Sequence, residues 1–177
     1  MRLFIAIDFN EFSEYFKRLQ EQLPKAKHTL PKKFHLTLKF LGDVDENKVG
    51  KIKQLLSEIK FQEFECFLGD IKYFSGNFIK TIFVKVTDSD KIFELQKEID
   101  NNLLDFFEKA KQFEPHLTIA RVKHVENKKE YLDGLQKIKT EKHIKTVNSF
   151  ELLKSELTPE GPVYEVLEQF KVVSQPL

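Results

Sequence analysis

The sequence contains little cysteine, glycine or proline and no tryptophan. Its 177 residues include one Cys, six Gly and six Pro. A single cysteine, Cys66, excludes an internal disulfide and any metal site built from several cysteines, and it fits a reducing interior. Because Cys66 stands among apolar neighbours in FECFLG, we interpret it as a small buried side chain and not as a reactive thiol.

Long hydrophobic runs are also absent. No stretch approaches the ~18 consecutive apolar residues that a membrane-spanning helix requires. The N-terminal segment MRLFIAIDF is apolar only as far as Ile7 and has no small-residue cleavage site before Asp8. It therefore predicts a buried strand and not a signal peptide. We expect a cytoplasmic protein that does not bind membranes.

Neither sign of charge is in large excess. The 29 Lys and Arg residues balance 28 Asp and Glu, for a formal net charge of +1. This balance gives no global attraction to nucleic acid, so any such attraction must be local. The segment 24–33, PKAKHTLPKK, holds four lysines and no acid and leads directly to His35. It is either a solvated loop or a phosphate-binding lip, and Lys27 within it is a candidate substrate-binding residue.

Hydrophobic periodicity predicts strands that alternate with helices. Runs typical of strands lie at 3–7, 34–41, 63–74, 80–86, 116–122, 150–157 and 163–173, and helical faces lie within 12–23, 49–59, 92–107 and 131–138. We expect Asp45 to cap the second helix and Asp88 or Ser89 to cap the third. The segment Thr158–Gly161 suits a type I turn. No linker divides the chain, so we predict one α+β domain over 1–177.

One four-residue kernel occurs twice. FHLTLKFLG spans 34–42 and PHLTIARVK spans 115–123, so His-Leu-Thr is followed by Leu or Ile in both. Residues i and i+2 of a strand point to the same face, so His35 should project beside Thr37, and His116 beside Thr118. The repeat indicates two lobes of like content. If both strands flank one cleft, it contains two histidines and two threonines.

This residue set suits phosphate chemistry. In-line displacement at phosphorus needs one proton removed on one flank and another delivered on the opposite flank, and two imidazoles can do both near neutral pH. A catalytic metal usually needs three or more protein ligands, which neither copy of the kernel supplies. We therefore expect no metal and no cofactor. Two hydrogen-bonded core histidines are the structural alternative.

Four segments resemble the RNA 2′,3′-cyclic phosphodiesterases, also called 2′-5′ RNA ligase-like proteins, of the 2H phosphoesterase superfamily. They are MRLFIAIDF, FHLTLKFLGDV, FEPHLTIARVK and FELLKSELTPEGPVYEVLEQF, and the resemblance runs from Met1 to about Val173. It implies a single bilobal α+β domain with a pseudo-two-fold repeat, two antiparallel-rich sheets flanked by helices and an active-site cleft between the lobes. It also implies metal-independent hydrolysis of RNA or nucleotide 2′,3′-cyclic phosphates to 2′-phosphomonoesters. We expect the protein to be a monomer and its partners to be RNA ends with a cyclic phosphate, such as tRNA-derived ends.

The resemblance also assigns residue roles. His35 matches the proton donor to the departing 3′ oxygen, and His116 matches the base that activates water. Thr37 and Thr118 would hold the phosphate oxygens. Arg121 matches a basic position after the second motif, although its offset of five from His116 requires a twist or a bulge to reach the same face. Lys39 and Lys27 complete the substrate-binding candidates.

Two other functions remain open at the level of sequence. The first is a non-catalytic RNA- or nucleotide-binding module that uses the same cleft, and the second is 2′-5′ RNA ligation by the reverse reaction. The other three histidines, His28, His124 and His143, lie in polar, Lys-rich surroundings. We expect them to face solvent.

Overall fold

The computed structural model describes residues 1–88, 90–159 and 161–172, which form nine strands and four α-helices. In chain order the elements are β1 (Arg2–Asp8), α1 (Ser13–Glu21), β2 (Lys27–Thr29), β3 (His35–Asp43), α2 (Glu46–Ser57), β4 (Phe64–Ser75), β5 (Ile79–Thr87), α3 (Asp90–Asn102), β6 (His116–His124), α4 (Lys128–Gln136), β7 (His143–Val147), β8 (Ser149–Thr158) and β9 (Gly161–Lys171). The predicted α+β class is confirmed.

The strands form two antiparallel sheets. The first has the order β3-β1-β8-β9, and the second has the order β2-β6-β5-β4-β7. The motif strands β3 and β6 are each hydrogen-bonded to the strand that precedes α1 or α3, namely β1 or β5, although β6 also pairs with the short edge strand β2. This arrangement matches the repeat that the duplicated kernel predicts.

One face of each sheet packs against the helices in a shared hydrophobic core. Leu36 of β3 and Leu117 of β6 are fully buried there, with Phe16 of α1 and Ile99 of α3. Helix α1 contacts β6, whereas α3 contacts β3. Each of these helices thus packs on the motif strand of the other half, which ties the two halves into one core.

A β-bulge interrupts both motif strands at the same place. In β3, Thr37 pairs with Ala6 and Lys39 pairs with Ile5, so Leu38 is the additional residue. In β6, Thr118 pairs with Phe83 and Ala120 with Ile82, so Ile119 is additional. An additional residue reverses the facing of everything after it. The two strands consequently share one burial pattern along their nine residues.

Two short strands escaped the sequence analysis. β2 lies in the Lys-rich segment assigned to a loop, and β7 has only five residues. Both are edge strands, whose pairing depends on partners distant in sequence. Helix α3 ends at Asn102, so the predicted stripe to 107 is too long, and Phe93 and Phe106 are exposed. The cap proposed at Ser89 and the Glu160 part of the turn at 158–161 lie outside the described residues.

Cys66 is fully buried in β4, as predicted. Burial raises the pKa of its thiol to about 12, with a smaller opposing effect of Lys145. The thiol is therefore protonated at neutral pH and acts as an apolar side chain. Among the described residues, no helix is long and apolar enough to cross a membrane.

A buried ion pair joins β3 to the end of α3. Because of the bulge, Lys39 points to the core face, where its Nζ donates hydrogen bonds to Asp100 Oδ1 and to the carbonyl of Glu108, the latter at 2.7 Å. Gln96 Nε2 and the backbone N–H of Ala110 donate to Asp100 Oδ2 at 2.8 and 3.0 Å. Burial disfavours the carboxylate, but these hydrogen bonds outweigh it and lower the pKa of Asp100.

We expect Asp100→Ala to destabilise the protein by about 3 to 5 kcal/mol, because it leaves the Lys39 charge buried and unpaired. The side chains of Lys39 and Asp100 are only 5% and 6% exposed. The free energy of unfolding should be measured in urea at neutral pH. Glu94→Ala, which breaks the exposed Lys91–Glu94 pair, is the matched control and should cost under about 1 kcal/mol. Equal losses of unfolding free energy in the two variants would contradict the assignment of Lys39 and Asp100 as a buried ion pair.

Candidate active site

The sheet faces that turn away from the main core carry the motif side chains. In the first sheet, Phe4, Ala6 and Leu153 form a separate small cluster on this face. A cavity of about 350 Å³ opens between the two sheets, and its lining includes His35 and Thr37 from one sheet and Thr118 and Arg121 from the other. His116 lies outside this lining, two residues before Thr118 on the same face of β6.

His35 lies among aromatic rings on the first wall of the cleft. Its ring centroid is 5.4 Å from that of Tyr164 and 6.1 Å from that of Phe4, both edge-on. Asp8 is its partner across β1 and β3. Burial lowers the pKa of His35, the negative charge of Asp8 opposes this effect, and Lys33 adds to it.

His116 lies in a similar aromatic setting on the second wall. Phe74 and Phe83 stack with centroids 4.2 Å apart, and both form T-shaped contacts with the imidazole at centroid distances of 5.0 and 5.2 Å. The Nδ1 atom lies 2.7 Å from the backbone carbonyl of Glu114. Because a carbonyl can only accept, Nδ1 must carry the hydrogen, which leaves Nε2 available to a substrate.

The bulge explains how Arg121 reaches the cleft. An offset of five would place Arg121 on the core face of a regular strand, but the additional Ile119 returns it to the face of His116 and Thr118. The equivalent residue of the first strand is Phe40, which also lines the cavity and is 72% exposed. The same position thus supplies a cation on one wall and an aromatic ring on the other.

The substrate-binding prediction for Lys39 is wrong. The bulge turns this side chain to the core, where it pairs with Asp100. Lys27 does not lie with the motif residues either. It pairs with His124 in the edge ladder and lines a separate cavity of about 510 Å³ beside Tyr131. From the same basic segment, Thr29, Pro31 and Lys33 line the cleft instead.

The other histidines are only partly as expected. His124 is exposed, as predicted. His28 is half-buried, and its Nε2 lies 2.7 Å from Tyr131 Oη. His143 packs against Tyr15 with ring centroids 4.3 Å apart, and its Nε2 lies 3.3 Å from Glu141 Oε2. The solvent-facing prediction is therefore wrong for His28 and His143, because aromatic residues from other elements cover them.

The sequence analysis missed three residues on the cleft-facing sides of the sheets. They are Asp8, the cavity-lining Tyr164, and Glu151, which lies on the same face of β8 as Leu153 and is only 9% exposed. Burial raises the pKa of Glu151, and the neighbouring charge of Asp8 raises it further. Strand alternation in FELLKSEL places Glu151 on the face of β8 that is opposite to the face of the core residue Leu152. This alternation could have identified Glu151 from the sequence.

Comparison with known proteins gives one consistent result. A family model described as LigT like Phosphoesterase matches residues 7–80 and 84–164, and each match contains one His-Leu-Thr kernel. The RNA 2′,3′-cyclic phosphodiesterase of Methanocaldococcus jannaschii is 38% identical, over 96% of this chain and all of its own length. The protein of that name from Thermotoga maritima is 35% identical, over 94% and 93% of the two chains.

Solved structures show the same fold. TT0787 of Thermus thermophilus superposes with a TM-score of 0.79 at 25% identity, covering 97% of this chain and 98% of its own. E. coli LigT complexed with 3′-AMP also gives 0.79, at 19% identity and 98% coverage of both chains. The likeness therefore extends over both sheets and both motif strands.

We expect neutral His116 to carry its hydrogen on Nδ1. The carbonyl of Glu114 can accept only from a protonated Nδ1. Nitrogen-15 NMR of the imidazole side chains at alkaline pH should show a protonated Nδ1 and an unprotonated Nε2 for this residue, assigned with a His116→Gln variant. Exposed His124 is the internal reference without such a partner. A protonated Nε2 in neutral His116 would contradict the hydrogen bond.

Proposed function

This chain belongs to the LigT-like phosphoesterase family, and we propose that it hydrolyses 2′,3′-cyclic phosphates of RNA or nucleotides to 2′-phosphomonoesters. One observation carries the proposal. His35 and Thr37 line one wall of the cleft, and Thr118 lines the other wall, two residues after His116 on the same face of the equivalent strand. The names of the related proteins, RNA 2′,3′-cyclic phosphodiesterase, support cleavage of the cyclic phosphate.

The two walls supply the two proton transfers of an in-line displacement. His116, through Nε2, takes a proton from water as the water oxygen attacks phosphorus, and the bond from phosphorus to the 3′ oxygen breaks. His35 delivers a proton to that oxygen, which leaves the phosphate on the 2′ oxygen. Both residues return to their starting states when the protons re-equilibrate with solvent.

The remaining residues stabilise the charge that develops on phosphorus. The hydroxyls of Thr37 and Thr118 donate to the non-bridging oxygens, and the Arg121 guanidinium offsets their negative charge. With these donors in place, we propose that no metal is needed. Phe40 gives the first wall an exposed apolar surface against which the nucleoside can pack.

The protonation state of His35 depends on the substrate. Burial lowers the pKa of the ring in the free protein. A bound cyclic phosphodiester brings a negative charge between the walls, which favours the imidazolium form, as Asp8 already does. The substrate itself thus helps to prepare the proton donor.

The proposal extends to the biological setting. We propose a cytoplasmic monomer that acts on RNA ends, including those of cleaved tRNA. A monomer is sufficient because one chain contributes both walls of the cleft. The single, buried cysteine fits a reducing compartment.

His35→Ala and His116→Ala should each lower kcat/KM on a 2′,3′-cyclic mononucleotide by about 10² to 10⁴, since each variant removes one proton transfer. The assay should contain a chelator and should resolve the 2′- and 3′-phosphomonoesters. His124→Ala, which changes an exposed histidine outside the cleft, is the matched control and should keep wild-type turnover.

Four results would overturn the proposal or part of it. Near wild-type turnover by either cleft variant would exclude the paired mechanism. RNA binding without turnover by the wild type would indicate a non-catalytic module. A 3′-phosphate product, or loss of activity with chelator, would contradict the assigned polarity or the metal-independent reaction.

Asp8→Asn tests which histidine donates the proton. Asp8 raises the pKa of His35, so its neutralisation should lower that pKa further. If His35 must be protonated, the alkaline limb of the kcat/KM profile will move to lower pH while the acidic limb stays in place. Asparagine keeps an acceptor for the Asn10 backbone N–H that Asp8 binds. Movement of the acidic limb alone would make His35 the base.

A further inference from the structure

The two walls carry opposite charges at equivalent positions. Asp8 of β1 lies directly across from His35, and Lys85 of β5 lies directly across from His116. Directly opposed residues of antiparallel strands project side by side on one face, with Cβ atoms about 4.5 to 5.5 Å apart. The first histidine thus has an acidic neighbour and the second a basic one.

The next set of cross-strand partners in each sheet shows the same difference in charge between the two walls. On the first wall, Thr37 pairs with Ala6, which pairs with Glu151. On the second wall, Thr118 pairs with Phe83, which pairs with Lys72. The strand orders β3-β1-β8 and β6-β5-β4 make these rows equivalent. Glu151 and Lys72 therefore occupy the same place in the repeat.

The charges of the second wall are available to a ligand. Lys72, Lys85 and Arg121 are exposed, and none forms an ion pair with another described residue. The acids of the first wall are less accessible. Asp8 accepts hydrogen bonds from Asn10, and Glu151 is nearly buried and accepts from Gln169 Nε2 at 3.2 Å.

We propose that the RNA chain preceding the cyclic phosphate lies across the second wall, with its phosphates bound by Lys72 and Lys85. This inference rests on the proposed function, which places the terminal phosphate between His35 and His116. At these equivalent rows a polyanion meets the exposed Lys72 and Lys85 on the second wall but the acids Asp8 and Glu151 on the first, where Arg2 and Lys33 supply cations only at the cavity lining itself. The site thus favours an oligoribonucleotide over a single cyclic nucleotide.

The experiment compares two substrates in one set of variants. kcat/KM is measured for a 2′,3′-cyclic mononucleotide and for a short oligoribonucleotide with the same terminal nucleotide. In the double variant Lys72→Gln and Lys85→Gln, we expect the ratio of the oligonucleotide value to the mononucleotide value to fall about 10-fold or more, because a change beside His116 affects both substrates alike whereas lost phosphate contacts affect only the oligonucleotide. The logarithmic salt slope for the oligonucleotide should weaken by about 1.4, as two single-strand phosphate contacts are lost.

Lys51→Gln with Lys97→Gln is the matched control. Both lysines are exposed on α2 and α3, helices that pack on the core faces away from the cleft. This control changes the net charge equally and should leave both substrates and the salt slope unchanged. An equal loss in the control would show that only total charge matters and would overturn the proposal.

Binding separates failure of this inference from failure of the proposed function. Fluorescence anisotropy of an oligoribonucleotide ending in a phosphomonoester requires no turnover. If the Lys72 and Lys85 variant binds more weakly and the control variant does not, RNA binding along the second wall is supported even if the wild type hydrolyses nothing. Equal binding by all variants, or an equal loss of kcat/KM on both substrates, would exclude RNA binding by Lys72 and Lys85 and would leave the hydrolase function unaffected.

Discussion

The β-bulge after each motif threonine is the feature on which the rest of the site depends. Strand alternation alone would direct Lys39 into the cleft and would bury Phe40 and Arg121. The additional residue, Leu38 or Ile119, reverses that order. As a result, Phe40 and Arg121 are exposed in the cleft, and Lys39 points into the core. The ion pair with Asp100 follows from this, because a buried ammonium requires a partner.

The repeated scaffold positions equivalent backbones, whereas the side chains divide the work between the walls. Both histidines contact aromatic rings, but among the described residues a backbone carbonyl fixes the Nδ1 of His116 and not that of His35. Symmetry of the backbone supplies two opposed flanks for phosphate displacement. Asymmetry of the side chains gives those flanks different tasks, since identical environments could not separate a proton donor from a proton acceptor.

The sequence predicted the parts of the site that depend on local periodicity. His35 with Thr37, and His116 with Thr118, share a face because two residues separate equivalent orientations in any strand. The direction of the Lys39 side chain could not be predicted in this way. It depends on the additional residue Leu38, which arises from the register of β3 with β1 and not from local periodicity. The edge strands β2 and β7 were missed for a related reason, because their pairing partners lie far along the chain. Glu151 was detectable from alternation, but its role becomes visible only when Ala6 aligns it with Thr37.

Coupling between the halves explains why the cleft can keep a defined geometry. Helix α1 packs on β6 and α3 packs on β3, so each motif strand is held against a helix that belongs to the other half. The Lys39–Asp100 pair adds a polar link, because Glu108 and Ala110, which bind its two partners, lie in the segment that leads to His116. The strand that carries His35 therefore stabilises the segment that precedes His116. A reaction that needs two groups on opposite sides of one phosphorus atom requires such rigid positioning, since an error of about 1 Å in placement can cost about 10²-fold in rate.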